Sequence, residues 1–283
     1  MSEFRTGFVG IVGPTNAGKS TLLNALMGQK IAIISPKVQT TYHALKAVQN
    51  DAESQFIYTD TPGYQKFPDR IPRILNNIAD REAENADALV WVFDASEKNL
   101  LRRLDAMEPK IKKLSEKKYS ICALNKVDQI RKDALLPLLQ NLFDRGLFKE
   151  VIPISALKKD GIDRIRAAIR PHLPVGPALY GDDFITDRNQ QFLVTERVRE
   201  QIYRATHQEL PYSVRVEVVK WEKGPKCPVI DAVIHVDTVS RRKILIGKKA
   251  STLKNIGTYA RKEIEGFLGE QICLKLDVQV DRD

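Results

Sequence analysis

The sequence predicts an α/β domain, a mostly parallel six-stranded sheet with helices on both faces, followed by a smaller α+β domain. Three observations carry this. Over the first ~170 residues, short apolar β-rich runs alternate with longer amphipathic segments, the βαβ rhythm of a sheet covered on both sides. The stretch "PHLPVGPALYGDD" then breaks that rhythm with three prolines and two glycines. After it the order becomes helix, two strands, two helices and a closing strand.

The elements follow in chain order. Strands are expected at "GFVGIVG", "HALKAVQ", "SQFIYTD", "ALVWVFDA", "SICALNK" and "VIPISA", with helices starting near Lys19, Arg73, Leu101, Lys132 and Gly161. Only "NDAE" separates the second and third strands, so these two should form a hairpin. The others need helical crossovers and should be parallel. Beyond the break, a helix over 188–208 precedes strands "SVRVEVVKW" and "PVIDAVIHV", two helices flanking Gly247, and "CLKLDVQV". The expected boundaries are 1–172 for the first domain, 173–187 for a linker and 188–283 for the second domain. The 283 residues suit two domains, and 43% hydrophobic with 29% charged residues suffices for two cores.

Composition also excludes. The longest apolar runs, such as "ALVWVF", fall far short of the ~18 residues of a membrane span. The start "MSEFRTGFVGIVG" carries Glu3 and reads as a first strand rather than a secretory signal. Cys122, Cys227 and Cys273 are scattered and odd in number, which predicts packing cysteines in a reducing compartment, neither a disulfide framework nor a zinc site. The net charge of +9 is concentrated. Between residues 238 and 262 stand Arg241, Arg242, Lys243, Lys248, Lys249, Lys254, Arg261 and Lys262, with no acidic residue. A polyanionic partner is one reading of this patch and a solvated basic helix face is the other.

"GPTNAGKS", Gly13 to Ser20, fits the phosphate-loop spacing G-x-x-x-x-G-K-[ST] between a strand and a helix. Gly13 and Gly18 permit backbone angles closed to other residues, so that the N–H groups of the loop that runs through Pro14, those of Thr15, Asn16 and Ala17 among them, can surround a phosphate. Lys19 can reach the outer phosphates and the Ser20 hydroxyl can hold Mg²⁺, with Thr21 behind it at the helix start. "DTPG", Asp60-Thr61-Pro62-Gly63, ends the third strand, where Asp60 can hold Mg²⁺ through water and the Gly63 amide can sense a γ-phosphate. "NKVD" follows an apolar strand. There the Asp128 carboxylate can accept from guanine's N1–H and amine together, while Asn125 and the stem of Lys126 support the base. Adenine offers no such pair, so guanine is favoured. "SAL", Ser155-Ala156-Leu157, ends the sixth strand, where amides can meet guanine's O6.

In this order the motifs resemble a translation-factor-class GTPase, and more particularly the Era family. "KVQTTYHAL", "DTPG", "LPVGPALYGDDFITDR", "ELPYSVRVEV" and "ILIGKKASTLKNIGTYARKEIE" carry the similarity along essentially the whole chain. The resemblance implies a P-loop GTPase domain followed by a type II KH domain, and binding of GTP or GDP with Mg²⁺. It also implies recognition of small-subunit (16S) ribosomal RNA near its 3′ end and a role in 30S subunit assembly. Thr41 would be the switch threonine that ligates Mg²⁺, within a switch over about residues 29–42, with a second over 60–72. Lys19, Thr41, Gly63 and Asn16 would form the catalytic and switch set, Asn16 matching an asparagine that binds K⁺ in related GTPases. A monomer in the cytoplasm is expected; the family also suggests peripheral contact with the inner membrane, for which the sequence shows no lipidation motif or amphipathic anchor.

A KH loop joins two helices and clamps about four nucleotides of RNA backbone. Gly247-Lys248-Lys249-Ala250 takes that place, with Arg241, Arg242, Lys243, Ile246 and Lys254 around it, and Ile244, Ile246 and Leu253 are expected to line a groove for bases. The family's fourth loop residue is glycine; the methyl of Ala250 either holds an RNA backbone slightly farther away or sits harmlessly in the first turn of the next helix, and the second is favoured because alanine is a good helix former. After D-x-x-G stand Tyr64 and Gln65 rather than a glutamine beside the glycine, which predicts slow intrinsic hydrolysis. His43, His172, His207 and His235 have no partners at ligand spacing and are expected to be non-catalytic, and Tyr119, Tyr203, Tyr212 and Tyr259 read as packing residues or base-stacking platforms. Two function classes follow: a GTP-driven switch acting on RNA, and an RNA-binding assembly protein whose nucleotide is structural and seldom hydrolysed.

Overall fold

Residues 3–34, 41, 44–65, 70–206 and 214–281 are described, in a computed structural model of the chain. The chain divides into two compact units, with the main boundary between Asp187 and Arg188.

In the first unit the strands are β1 (Arg5–Val12), β2 (Leu45–Asn50), β3 (Ser54–Asp60), β4 (Ala88–Asp94), β5 (Tyr119–Asn125) and β6 (Glu150–Pro153). Their order across the sheet is β2-β3-β1-β4-β5-β6. The β2–β3 hairpin is antiparallel and the remaining pairs are parallel. The helices are α1 (Lys19–Met27), α2 (Arg70–Asn85), α3 (Leu100–Ser115), α4 (Lys132–Asp144) and α5 (Ile162–Ile169). Because both faces are covered, β3 is buried at every residue and β4 at all but its last. Alternate residues serve alternate faces: Leu89, Trp91 and Phe93 join Leu104 and Ile111 of α3 in one core. Parallel register then places the strand ends together, with Ile11 beside Asp60 and Asp94 beside Asn125. Helix α2 begins at Arg70, three residues before the expected start, because Pro72 in a first turn sacrifices no helical hydrogen bond.

The stretch read as a linker is fastened to the first unit. Thr6 N–H donates to Pro174, Gly176 N–H to Phe4, and Val48 N–H to Ile185. The buried Gln55 side chain accepts from the amides of Leu179 and Tyr180 and donates to the Tyr180 carbonyl. This strap covers part of β2, the sheet's edge strand, whose open amides would otherwise be available to another chain.

The second unit contains α6 (Gln190–Ala205), β7 (Val214–Glu222), β8 (Val229–Val236), α7 (Val239–Ile246), α8 (Ser251–Leu268) and β9 (Cys273–Val280). Strand order is β7-β8-β9, with the first pair antiparallel and the second parallel. Val194, Val198 and Ile202 of α6 and Ile256, Ala260 and Ile264 of α8 form one core with Ile230, Ala232 and Ile234 of β8. Asn189 caps α6 through the Phe192 amide and Thr238 caps α7 through the Arg241 amide.

The scatter of the cysteines does not survive folding. Cys122 is buried in the first core, but Cys227 and Cys273, 46 residues apart, bring their sulfurs within 2.9 Å of each other. Spacing along the chain carries no information about this, since the parallel pairing of β8 with β9 creates it. Gln39, Tyr42, His43, His207 and Tyr212 lie outside the described residues, as do parts of both expected switch segments.

Candidate functional site

The loops after β1, β3, β5 and β6 converge at one edge of the sheet. In the 13–20 loop, Gly13 has φ 140° and a side chain there would come within 2.3 Å of the Val92 carbonyl. Gly18 has φ 95°, and a Cβ would lie 2.2 Å from Asn125 Nδ2. Both positions therefore require glycine. Asn16 is at the exposed tip in a left-handed conformation, φ 62°, and Ala17 is buried beneath it. Lys19 Nζ turns inward and donates to the Pro14 carbonyl at 2.8 Å. Burial pushes the Lys19 pKa down to about 8, with Asp60 pulling it back and Arg103 adding to the fall.

Beside Lys19, Ser20 Oγ donates to Asp60 Oδ2 at 2.7 Å and lies 3.3 Å from Thr41 Oγ1. The other Asp60 oxygen is buried without a hydrogen-bond partner. Burial raises the Asp60 pKa to about 6 against the Ser20 hydrogen bond, the Lys19 charge and Thr41. Two hydroxyls and an under-satisfied carboxylate form a set of hard oxygens that suits Mg²⁺. Thr41, 21 residues after Ser20 in the chain, thus shares this corner with Ser20 and Asp60.

The 60–63 turn is latched to the 13–20 loop. Thr61 Oγ1 donates to Ile11, and the Tyr64 N–H donates to Gly13 at 3.0 Å. Pro62 is buried, and a side chain on Gly63 would lie 2.6 Å from Thr15 Cα. Tyr64 turns away from this edge: its ring stacks on Trp91, its hydroxyl donates to Asp80 at 2.9 Å, and Lys110 lies over the ring. The Gln65 backbone is clamped at both its amide and its carbonyl by the Asn76 side chain.

Asn125 ties the edge together. Its Nδ2 donates to Ala17 at 2.9 Å and its Oδ1 accepts from the Ala156 amide at 3.0 Å. Its amide thus joins two loops of this edge. Lys126, at φ 63°, reaches back to the Asn16 carbonyl at 2.9 Å and pairs with Asp94 at 2.6 Å. Asp128 stands on a single 3₁₀ turn, Val127–Gln129, with Lys158 Nζ 3.9 Å from its carboxylate. Ser155 exchanges two backbone hydrogen bonds with Asp160, which shapes the 155–157 turn, and Leu157 is exposed. Sequence reasoning missed Asp94 and also Arg103, which pairs with Glu97 and donates to the Thr15 carbonyl. Asp94 at a strand's C-terminal end was the available signal.

The second unit presents a basic loop between α7 and α8. Gly247 has φ 70°, and a side chain there would lie 2.3 Å from Thr252 Oγ1. Arg242, Lys243, Lys248, Lys249 and Lys254 are exposed. Arg241 is paired with Asp237, and Arg242 Nε donates to the Val278 carbonyl, so these two are partly engaged within the fold. Ala250 is not in a helical first turn: it caps α8 at φ 59°, following Lys249 at φ 51°. A groove of about 330 Å³ next to the loop is lined by Ala250, Leu253, Gly257, Arg261, Leu274 and Leu276 among others. Of the three apolar residues expected there, only Leu253 lines it. Ile246 packs on the core and Ile244 is exposed elsewhere. The contribution of β9 could not be read locally, because β9 meets α8 only through the fold.

Tyr203 is buried, Tyr119 stacks on His172, and His235 pairs with Asp281, so these aromatic and imidazole rings serve packing or local pairing. Tyr259 is exposed.

Comparisons with known proteins agree with this geometry. Residues 8–126 match the family model described as 50S ribosome-binding GTPase, and residues 209–283 match that of the KH domain. GTPase Era of Nitratidesulfovibrio vulgaris (strain DSM 19637 / Miyazaki F) is 39% identical, the alignment covering 99% of this chain and 93% of that protein. GTPase Era of Syntrophus aciditrophicus is 40% identical over 99% of this chain and 91% of that protein. A crystal structure of Era in complex with MgGDPNP and nucleotides 1506–1542 of 16S ribosomal RNA superposes with a TM-score of 0.91 at 37% identity, covering 99% of this chain and 95% of that chain. A crystal structure of an Aquifex aeolicus Era variant bound to GDP·AlF₄⁻ has the same TM-score, identity and coverage. A P-loop GTPase domain joined to a KH domain, with full-length similarity to these proteins, makes this chain a member of the Era family of GTPases.

Proposed function

We propose that this GTPase works as a switch on small-subunit ribosomal RNA: it holds GTP or GDP at the sheet edge, hydrolyses GTP, and grips the 3′ region of 16S RNA through its KH domain during 30S assembly. The observation that carries the reading is the convergence of residues 13–20, 60–63, 125–128 and 155–157 on one edge, tied by Asn125. Gly13–Thr21 would surround the phosphates and Asp128 would accept from guanine. Ser20, Thr41 and, through water, Asp60 would hold Mg²⁺, which when bound supplies positive charge against the phosphate oxygens. The Lys19 ammonium would leave the Pro14 carbonyl for the outer phosphates.

Asn16, exposed at the loop tip, is the proposed ligand for K⁺, a charge that would stand in for a missing arginine finger. Equal GTP turnover in K⁺ and Na⁺ buffers would reject that role.

For RNA, Gly247–Ala250 would hold the backbone, with Lys243, Lys248, Lys249 and Lys254 on phosphates and bases along the groove of Leu253, Gly257, Leu274 and Leu276. The related Era complex with a 16S RNA segment supports this choice of partner. Among the described residues no helix is long and apolar enough to cross a membrane, and membrane contact forms no part of the proposal.

The test is GTP turnover of the full chain with and without RNA ending in the ribosomal 3′ sequence, together with RNA affinity in the GDP and GTP forms. Stimulation, or a nucleotide-dependent affinity, is expected. No stimulation and equal affinities would favour an assembly protein whose nucleotide is structural.

A further inference from the structure

Two neighbouring thiols in the second unit stand outside the loops assigned above to nucleotide and RNA. At the start of the parallel β8–β9 ladder, Cys273 N–H donates to Pro228 at 2.8 Å and Cys273 is the register partner of Val229. That register carries Cys227 alongside Cys273, sulfur to sulfur at 2.9 Å. Cys273 is exposed and Cys227 partly so, whereas Cys122 is buried. Among the described residues no group of three or more Cys, His, Asp or Glu is arranged to hold a metal, so this dithiol lacks the further ligands of a zinc centre.

We propose that Cys227 and Cys273 form a thiol–disulfide exchange site whose substrate is a small-molecule disulfide, the product being an intramolecular crosslink at the open end of the β8–β9 ladder. The exposed Cys273 attacks first as its thiolate. A bond forms between its Sγ and one reagent sulfur as the reagent's own S–S bond breaks, and one reagent thiolate leaves. Cys227, on losing its proton, then attacks Cys273 Sγ, and the second reagent thiolate leaves. Two protein thiols are oxidised, one reagent disulfide is reduced to two thiols, and these take up the two protons. The hydrogen bond to the Cys273 sulfur, with a smaller push from desolvation, holds the Cys227 thiol above its ordinary range, consistent with Cys227 acting second.

The crosslink would join the two ends of the segment that holds α7, Gly247–Ala250 and α8. The 18 residues of α8 span about 27 Å at 1.5 Å per residue, so the thiols lie at the opposite end of that helix from the basic loop. Oxidation would therefore tie the segment without touching the loop.

The experiment treats the folded full-length protein with excess oxidised glutathione, alkylates the remaining thiols after unfolding, and maps the peptides. The expected result is alkylation at Cys122 alone, with the Cys227 peptide joined to the Cys273 peptide. Cys122→Ser should form the same crosslink, and Cys227→Ser should stop at glutathione attached to Cys273. Alkylation of all three cysteines, lasting glutathione attachment without a crosslink in the wild type, or dimers joined through Cys273 would each overturn the proposal.

Discussion

Asn125 donates its side-chain amide to the Ala17 carbonyl at 2.9 Å, and through its other atom holds the Ala156 amide. One buried side chain therefore fixes the spacing between the 13–20 loop and the 155–157 turn. In Asn125→Ala both main-chain partners lose their bonds, each unsatisfied group costing about 1–3 kcal/mol. The variant should be destabilised by about 2 kcal/mol or more in chemical denaturation and bind GTP at least tenfold more weakly, about 1.4 kcal/mol. Wild-type GTP affinity would show that the loops hold their spacing without Asn125.

Asp60 makes the nucleotide-free, Mg²⁺-free protein sensitive to pH. Its folded-state pKa is raised to about 6 from 3.8, so between these values the folded protein binds more protons than the unfolded chain. Stability must then fall as pH rises through that window, by about 3 kcal/mol at about 1.36 kcal/mol per unit. Urea midpoints measured in chelator from about pH 4 to about pH 7 should show this fall, and Asp60→Asn should flatten it. An equal slope in the variant would assign the effect to other groups.

Tyr64 follows the D-x-x-G turn but packs on Trp91 and bonds Asp80. Tyr64→Phe keeps the stack and removes one hydrogen bond. It should cost about 1 kcal/mol of stability and leave GTP turnover unchanged. A tenfold fall in turnover would place the hydroxyl in hydrolysis.

Ala250 holds a left-handed conformation, φ 59°, which alanine adopts at a cost. Ala250→Gly should raise stability by about 0.5–1 kcal/mol, seen as a higher melting temperature. RNA affinity should change by less than tenfold. A larger gain would mean that the methyl group holds the RNA backbone away from the loop.

Lys248 and Lys249 are exposed on that loop. If both contact single-stranded phosphate, replacing them with alanine should weaken binding across RNA sequences and reduce the salt-dependence slope by about 1.4, at ~0.7 per contact. An unchanged slope would remove them from the interface.

What was legible in the sequence was local. The 13–20 loop and the hairpin are set by neighbouring residues, glycine geometry and alternation, and their strands and helices begin within a few residues of expectation. What local reading did not reach involves distant partners. Leu274 and Leu276 line the groove because β9 meets α8, and Asn125 joins two loops because Ala17 and Ala156 approach it from elements far away in the chain. Ala250 was misjudged for a different reason: helix propensity describes a helix interior, and here the chain must turn sharply between two helices.

The amino-acid order alone thus determined the two-domain architecture, the phosphate-loop spacing at residues 13–20 and the basic loop at 247–250, since each depends on spacings of a few residues. Only the tertiary structure decided that residues 173–187 strap the edge strand, that Lys126 pairs with Asp94, and that Cys227 meets Cys273. Those contacts arise from strand register and burial acting over tens to more than a hundred residues, where no local pattern specifies which side chains will meet.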